Sequence, residues 1–138
     1  MIYREEDLFN ALKDSIMPDL EQSEGFMSHY DCYSIKHNMD IELKCRRTHY
    51  DELLIEKMKF DALILRSEKY GTIPVYINST PDGVWAFKLL ELPEPIWSQR
   101  LMPQTTDFAK REKIEKEVGY YSVYMGTDIT DSLTSLLK

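Results

Sequence analysis

The chain has 138 residues, of which 43% are hydrophobic and 30% charged, a balance that fits one globular domain large enough to bury a core. Its formal net charge of −7 weighs against a generally basic nucleic-acid binder, because an acidic surface repels phosphate at long range. No apolar run reaches membrane-spanning length and no signal peptide precedes the charged residues Arg4 to Asp7, so a cytoplasmic, membrane-free protein is expected.

Residues 3–16 read as a helix. Leu8, Phe9, Leu12 and Ile16 form an apolar stripe, and Glu5, Glu6 and Asp7 crowd the first turn, where the helix dipole favours acids. The polar stretch from Pro18 to Ser28 leaves room for a short helical turn. Two strands follow around a polar turn. Asp40, Glu42 and Lys44 alternate with Ile41, Leu43 and Cys45, the period of a strand with one face in a core. A tight hairpin centred on His37 and Asn38 sets Asp31 opposite Lys44, Tyr33 opposite Glu42, and Cys32 opposite Leu43 on the apolar side. Asp31, Glu42 and Lys44 then share a face, with Asp31 diagonal to Glu42 at about 5–8 Å. Carboxylates at that separation can share a divalent cation. Arg46 and Arg47 extend the second strand with groups suited to phosphate.

Thr48 and Asp51 resemble a capping box and predict a helix reaching about Tyr70, with Leu54, Met58, Ala62 and Leu65 on one stripe and Gly71 ending it. That helix is expected to cover the apolar face of the hairpin. Ile73–Asn78 reads as a strand, with Pro74 at an edge or a strand start, and Thr80-Pro81-Asp82-Gly83 as the turn into a second arm, Val84–Leu90. Beyond Glu91, prolines 93, 95 and 103 punctuate a connection that carries Trp97, Leu101 and Met102 and is expected to wrap over the domain. Asp107 predicts a short charged helix through Glu117. Gly119–Tyr124 reads as a strand, and Asp131–Lys138 as a short helix or a frayed end.

At the hairpin the chain resembles the restriction-endonuclease-like PD-(D/E)XK nuclease superfamily, especially its small phage and resolvase-like branches. The family pattern is an Asp on one strand and Glu-x-Lys on the next, here Asp31 and Glu42-Leu43-Lys44, with Tyr30 in place of the motif's Pro. Pro18-Asp19 lies too far upstream and reads as a decoy. The resemblance implies an α/β fold with a mixed central sheet flanked by helices. Residues 1–90 would form the nuclease-like core and 91–138 an extension packed on it, within a single domain.

The same resemblance implies a site. Asp31, Glu42 and the Leu43 carbonyl would bind Mg2+ or Mn2+, and Lys44 would position the attacking water. A further acid is expected on the first helix, Glu6 first and Glu5 next. Arg46, Arg47 and one of Lys57 and Lys59 would meet DNA phosphate. The expected function is a metal-dependent deoxyribonuclease of a bacterial or phage-infected cytoplasm, acting on DNA as a homodimer. The alternatives are a nuclease fold turned binding module and a small acidic phage protein that binds a host protein. Cys32 and Cys45, without CxxC spacing, are expected to be reduced and to bind no zinc.

Overall fold

The computed structural model describes residues 2–23, 31–103 and 113–134. Helix α1 (Glu5–Ser15) forms where the apolar stripe predicts it. Leu8, Ala11 and Leu12 are buried one turn apart, and Arg4 pairs with Asp7 at its start. A two-residue strand β1 (Glu21–Gln22) replaces the helical turn expected in this stretch. It pairs with β2 (Asp31–Ser34), which forms a hairpin with β3 (Met39–Cys45).

The long helix expected from Thr48 is two elements. Glu52–Glu56 is a strand, β4, and α2 begins only at Lys57 and runs to Tyr70. Leu53, Leu54 and Ile55 are all buried, and a strand covered on both faces shows no alternation to distinguish it from a piece of helix. The expected stripe is displaced accordingly. Met58 and Leu65 are exposed, and Phe60, Leu63 and Ser67 form the buried face of α2. Gly71 closes the helix in the left-handed conformation, φ 68°, with its N–H donated to the Ser67 carbonyl.

Strand β5 (Ile73–Thr80) lies beside β3 and parallel to it, and β6 (Gly83–Lys88) returns antiparallel through the Pro81-Asp82 turn. Pro74 therefore stands near the start of an interior strand, not on an edge. The chain then forms β7 (Ser98–Pro103), β8 (Lys113–Ser122), the short β9 (Thr127–Asp128) and α3 (Thr130–Thr134). Residues 113–117, expected in a helix, are strand, and Asp107 lies outside the described residues. Apart from Lys116, which pairs with Glu56, their mixed charges face solvent because β7 and this half of β8 form a largely exposed ribbon.

Two sheets result. A six-stranded mixed sheet has the order β1-β2-β3-β5-β6-β9, and a three-stranded antiparallel sheet has the order β4-β8-β7. One face of the larger sheet packs Cys32, Ile41, Leu43, Val75 and Ile77 against Leu8 and Leu12 of α1 and Leu133 of α3. On the other face Tyr76 and Phe87 meet Phe60 and Leu63 of α2, with Leu53, Ile55 and Tyr121 of the smaller sheet. The apolar face of the hairpin is thus covered by α1. Helix α2 lies over the opposite, acidic face of β3.

Candidate active site

The β2–β3 hairpin turns through residues 35–38, one position earlier than the sequence predicts. Asp31 faces Glu42, Cys32 faces Ile41 and Tyr33 faces Asp40. Moving the centre by one residue changes every opposed pair by two positions, so side chains keep their faces. Asp31 and Glu42 are therefore directly opposed, at a separation of about 4.5–5.5 Å between Cβ atoms for such pairs, rather than diagonal. The register is fixed from outside the hairpin by Asp19. Its carboxylate accepts the Ser34 hydroxyl at 2.8 Å and the Lys36 N–H at 2.9 Å. The Lys36 N–H bond chiefly holds the Asp19 carboxyl below its ordinary pKa, against the cost of desolvation. Asn38 ends the turn at φ 55° and donates its side-chain amide to the Gly71 carbonyl, tying the hairpin to the end of α2.

Asp31, Asp40 and Glu42 line one narrow cleft with Ser23, Lys59, Ala62, Leu63 and Arg66. Asp40 and Glu42 are 4% and 6% exposed, and buried carboxylates of this kind require partners. Helix α2 supplies them. Lys59 Nζ stands 3.6 Å from Glu42 Oε1, and Arg66 Nη2 3.2 Å from Asp40 Oδ1. The hydroxyl of Thr72 donates to the second oxygen of Asp40 at 2.6 Å. Lys59, Leu63 and Arg66 recur at helical spacing on one face, which places both cations over β3. Past Arg66 the cleft widens into a hollow of about 280 Å3 bordered by Tyr33, Ile35, Met39 and Tyr70.

Lys44 lies on the same face of β3 as Glu42, next to Asn78 of β5. Burial first, and then the nearby Arg46 charge, push its pKa below the ordinary lysine value, opposed by the negative charges of Glu5 and Glu56. Among the first-turn acids it is thus Glu5, half-buried, whose charge acts on Lys44, while Glu6, the residue preferred from sequence, is exposed. Glu56 was not foreseen. It sits at the junction of β4 and α2 and pairs with Lys116 at 3.0 Å.

The remaining basic residues separate. Arg46 donates to the Leu54 carbonyl at 2.8 Å and so fastens β3 to β4, whereas Arg47 is exposed. Lys57 pairs with Asp61 at 2.6 Å and lies over the Trp97 ring, so of the two early α2 lysines it is Lys59 that reaches an acid of the cleft. Cys32 borders the cleft but belongs to the apolar core with its side chain, and Cys45 lies apart from the cleft. Both are free thiols, pushed up to about 12 mainly by burial.

The donor set suits a hard divalent cation: two opposed carboxylates, with the Leu43 backbone between Glu42 and Lys44. The Leu43 side chain is buried on the other face, so only its carbonyl is available to the site. Among the described residues no three His, Cys, Asp or Glu side chains gather as a metal-binding group. The remaining ligands would be backbone and water, as is common for magnesium. Of the residues to which the sequence assigned no role, Asp40 and Arg66 had a partial signal and Glu56 had none. Asp40 continues the alternation of Glu42 and Lys44, and Arg66 lies two helical turns after Lys59.

No protein-family model matches the chain, and no curated protein matches it. Among solved structures it is similar to Hjc, a Holliday junction resolvase from the archaeal hyperthermophile Archaeoglobus fulgidus. The TM-score is 0.56 at 17% identity, over 94% of this chain and 92% of that one. The fold is thus the mixed α/β fold of that resolvase, with a central mixed sheet flanked by helices.

Proposed function

We propose that the chain is a metal-dependent DNA endonuclease selective for branched DNA, with its active centre on the acidic face of β2 and β3. The observation that carries this reading is the direct opposition of Asp31 and Glu42, with Lys44 two residues further along the same face. The site stands in a fold shared end to end with a junction resolvase.

In this reading Asp31, Glu42 and the Leu43 carbonyl hold Mg2+ or Mn2+. Bound there, the cation would lower the pKa of a water and offset the charge that grows on the phosphate oxygens. Lys44 donates to the attacking water or to a phosphate oxygen and holds it in line with the scissile bond. Its partly buried position favours this task, since a charge acts more strongly where water is excluded. The charge of Glu5 favours the ammonium form of Lys44, against the larger effect of burial. Exposed Arg47 meets a flanking phosphate. One such centre cuts one strand, so resolving a junction takes two copies, and a homodimer is the economical arrangement.

The test offers a four-way junction, a nicked duplex and a linear duplex to the wild type and to Lys44→Ala, with magnesium. The wild type should cut the junction in preference to the linear duplex, and Lys44→Ala should lose about 100-fold or more in rate. Metal binding should survive the substitution, because an ammonium is not a ligand. Equal cleavage by the two proteins would remove Lys44 from the site, and equal cleavage of all three substrates would remove the structural selectivity.

A further inference from the structure

We propose that Lys59 is an exchangeable counter-ion. It holds the place of the divalent cation on Glu42 in the metal-free protein, leaves when the cation binds, and then contacts the DNA phosphate. The inference rests on the reading of Asp31 and Glu42 as metal ligands.

The position of Lys59 is not explained by helix stability. It lies in the first turn of α2, where the dipole disfavours cations, and that turn contains no acid to offset it. Lys57, in the same turn, has its charge met on the helix surface by Asp61. Lys59 instead reaches across to β3, to a carboxylate that is itself buried and faces a second carboxylate. Two acids at this distance destabilise each other when ionised, so a cation is needed whether or not metal is present. The ammonium of Lys59 fills that need.

The neighbouring pair shows what a permanent arrangement looks like. Both oxygens of Asp40 are engaged, one by Arg66 at 3.2 Å and the other by Thr72 at 2.6 Å. The guanidinium is planar, always charged and rich in donors, so it holds its place better than an ammonium does. Lys59 meets Glu42 at 3.6 Å, and lysine is a point charge on a flexible four-carbon stem. A divalent ion on Glu42 would repel the ammonium by like charge and satisfy the carboxylate better. The stem allows Lys59 to swing toward the mouth of the cleft, where a phosphate would lie. Metal and DNA would thereby be coupled: binding the first makes available a cation for the second.

The experiment is a Mn2+ titration of the intact protein without DNA, for the wild type, Lys59→Gln, Lys59→Arg and Lys69→Gln. Removing the competitor should tighten Mn2+ binding by about fivefold or more. Lys59→Arg, which grips Glu42 through a fork, should weaken it. Lys69→Gln removes the same charge from the far end of α2 and should leave the affinity within about twofold. Fluorescence binding of a four-way junction in Ca2+ supplies a second readout, in which Lys59→Gln should lose most of the gain that metal gives the wild type. Mn2+ affinity unchanged or weakened in Lys59→Gln, with the wild type binding normally, would overturn the exchange alone. Failure of the wild type to bind Mn2+ would overturn both the exchange and the metal reading beneath it. Should Lys59→Gln not fold, unchanged or tighter binding by Lys59→Arg overturns the proposal on its own.

Discussion

Asp19 illustrates how a residue outside the cleft can decide the geometry within it. It was set aside in the sequence as a misleading match to the Pro-Asp motif, and it is bonded to Ser34 and Lys36, not to the acids of β3. Those bonds fix the hairpin turn and with it the opposition of Asp31 and Glu42. Because the folded pKa of Asp19 lies below the ordinary value of 3.8, its bonds stabilise the fold fully above that value. The contribution is lost as the pH falls through the lowered folded value. The stability difference between wild type and Asp19→Asn, measured by urea unfolding, should therefore be present at pH 7 and shrink below about pH 4. A difference that persists unchanged at pH 2 would show that the bonds depend on shape rather than on charge.

At the scale of elements, legibility followed periodicity. Helix α1 and the β2–β3 hairpin were readable because apolar residues recur along them with a period of 3.6 or 2, whereas β5, buried on both faces, was marked by its β-branched and aromatic residues and by the Pro81-Asp82-Gly83 turn that follows it. Strand β4 was not, because Leu53, Leu54 and Ile55 are covered from both sides and the run joins smoothly to the helical pattern after it. The first half of β8 was hidden for the opposite reason. It is exposed on both faces, so its lysines and glutamates carry no record of the sheet. The acids of the site were legible as a strand face, Lys59 only as one of two candidate lysines and Arg66 not at all, since both cations reach β3 only through the placement of α2.

That placement depends on the end of α2 as well as on its core. Gly71 takes a left-handed conformation with open space around it, and its carbonyl accepts the Asn38 amide from the hairpin turn. Gly71→Ala should cost about 1–2 kcal/mol in unfolding free energy through the backbone alone, with no clash. A loss near zero in urea denaturation would mean that the helix end relaxes freely and does not brace the hairpin.

For the whole molecule the two sheets meet directly, Phe87 stacking on Tyr121 and Tyr76 donating to the Leu54 carbonyl, with α2 packed beside them, and the chain's last described elements close the larger sheet. Strand β9 pairs with β6, and Leu133 of α3 is buried beside α1, so residues after Glu91 complete both cores. Gly119 shows how tightly that later segment docks, since a Cβ there would collide with Pro95 and press on Trp97. No helix among the described residues is long and apolar enough to cross a membrane. With a net charge of −7, long-range attraction would do little to recruit DNA, so under the proposed function affinity would have to come from a bound cation, from Arg47 and from Lys44 and Lys59.

The proposed function stands or falls on Asp31 and Glu42 as the centre at which DNA would be cut. The most direct measurement is the cleavage rate of a four-way DNA junction by wild type and Glu42→Gln, each checked for folding by circular dichroism, with Mg2+, with Mn2+ and with chelator. The wild type should cut with either metal and fall silent with chelator, and folded Glu42→Gln should be slower by about 100-fold or more. A folded Glu42→Gln that cuts as fast as the wild type, or a wild type that cuts no junction with either metal, would contradict it.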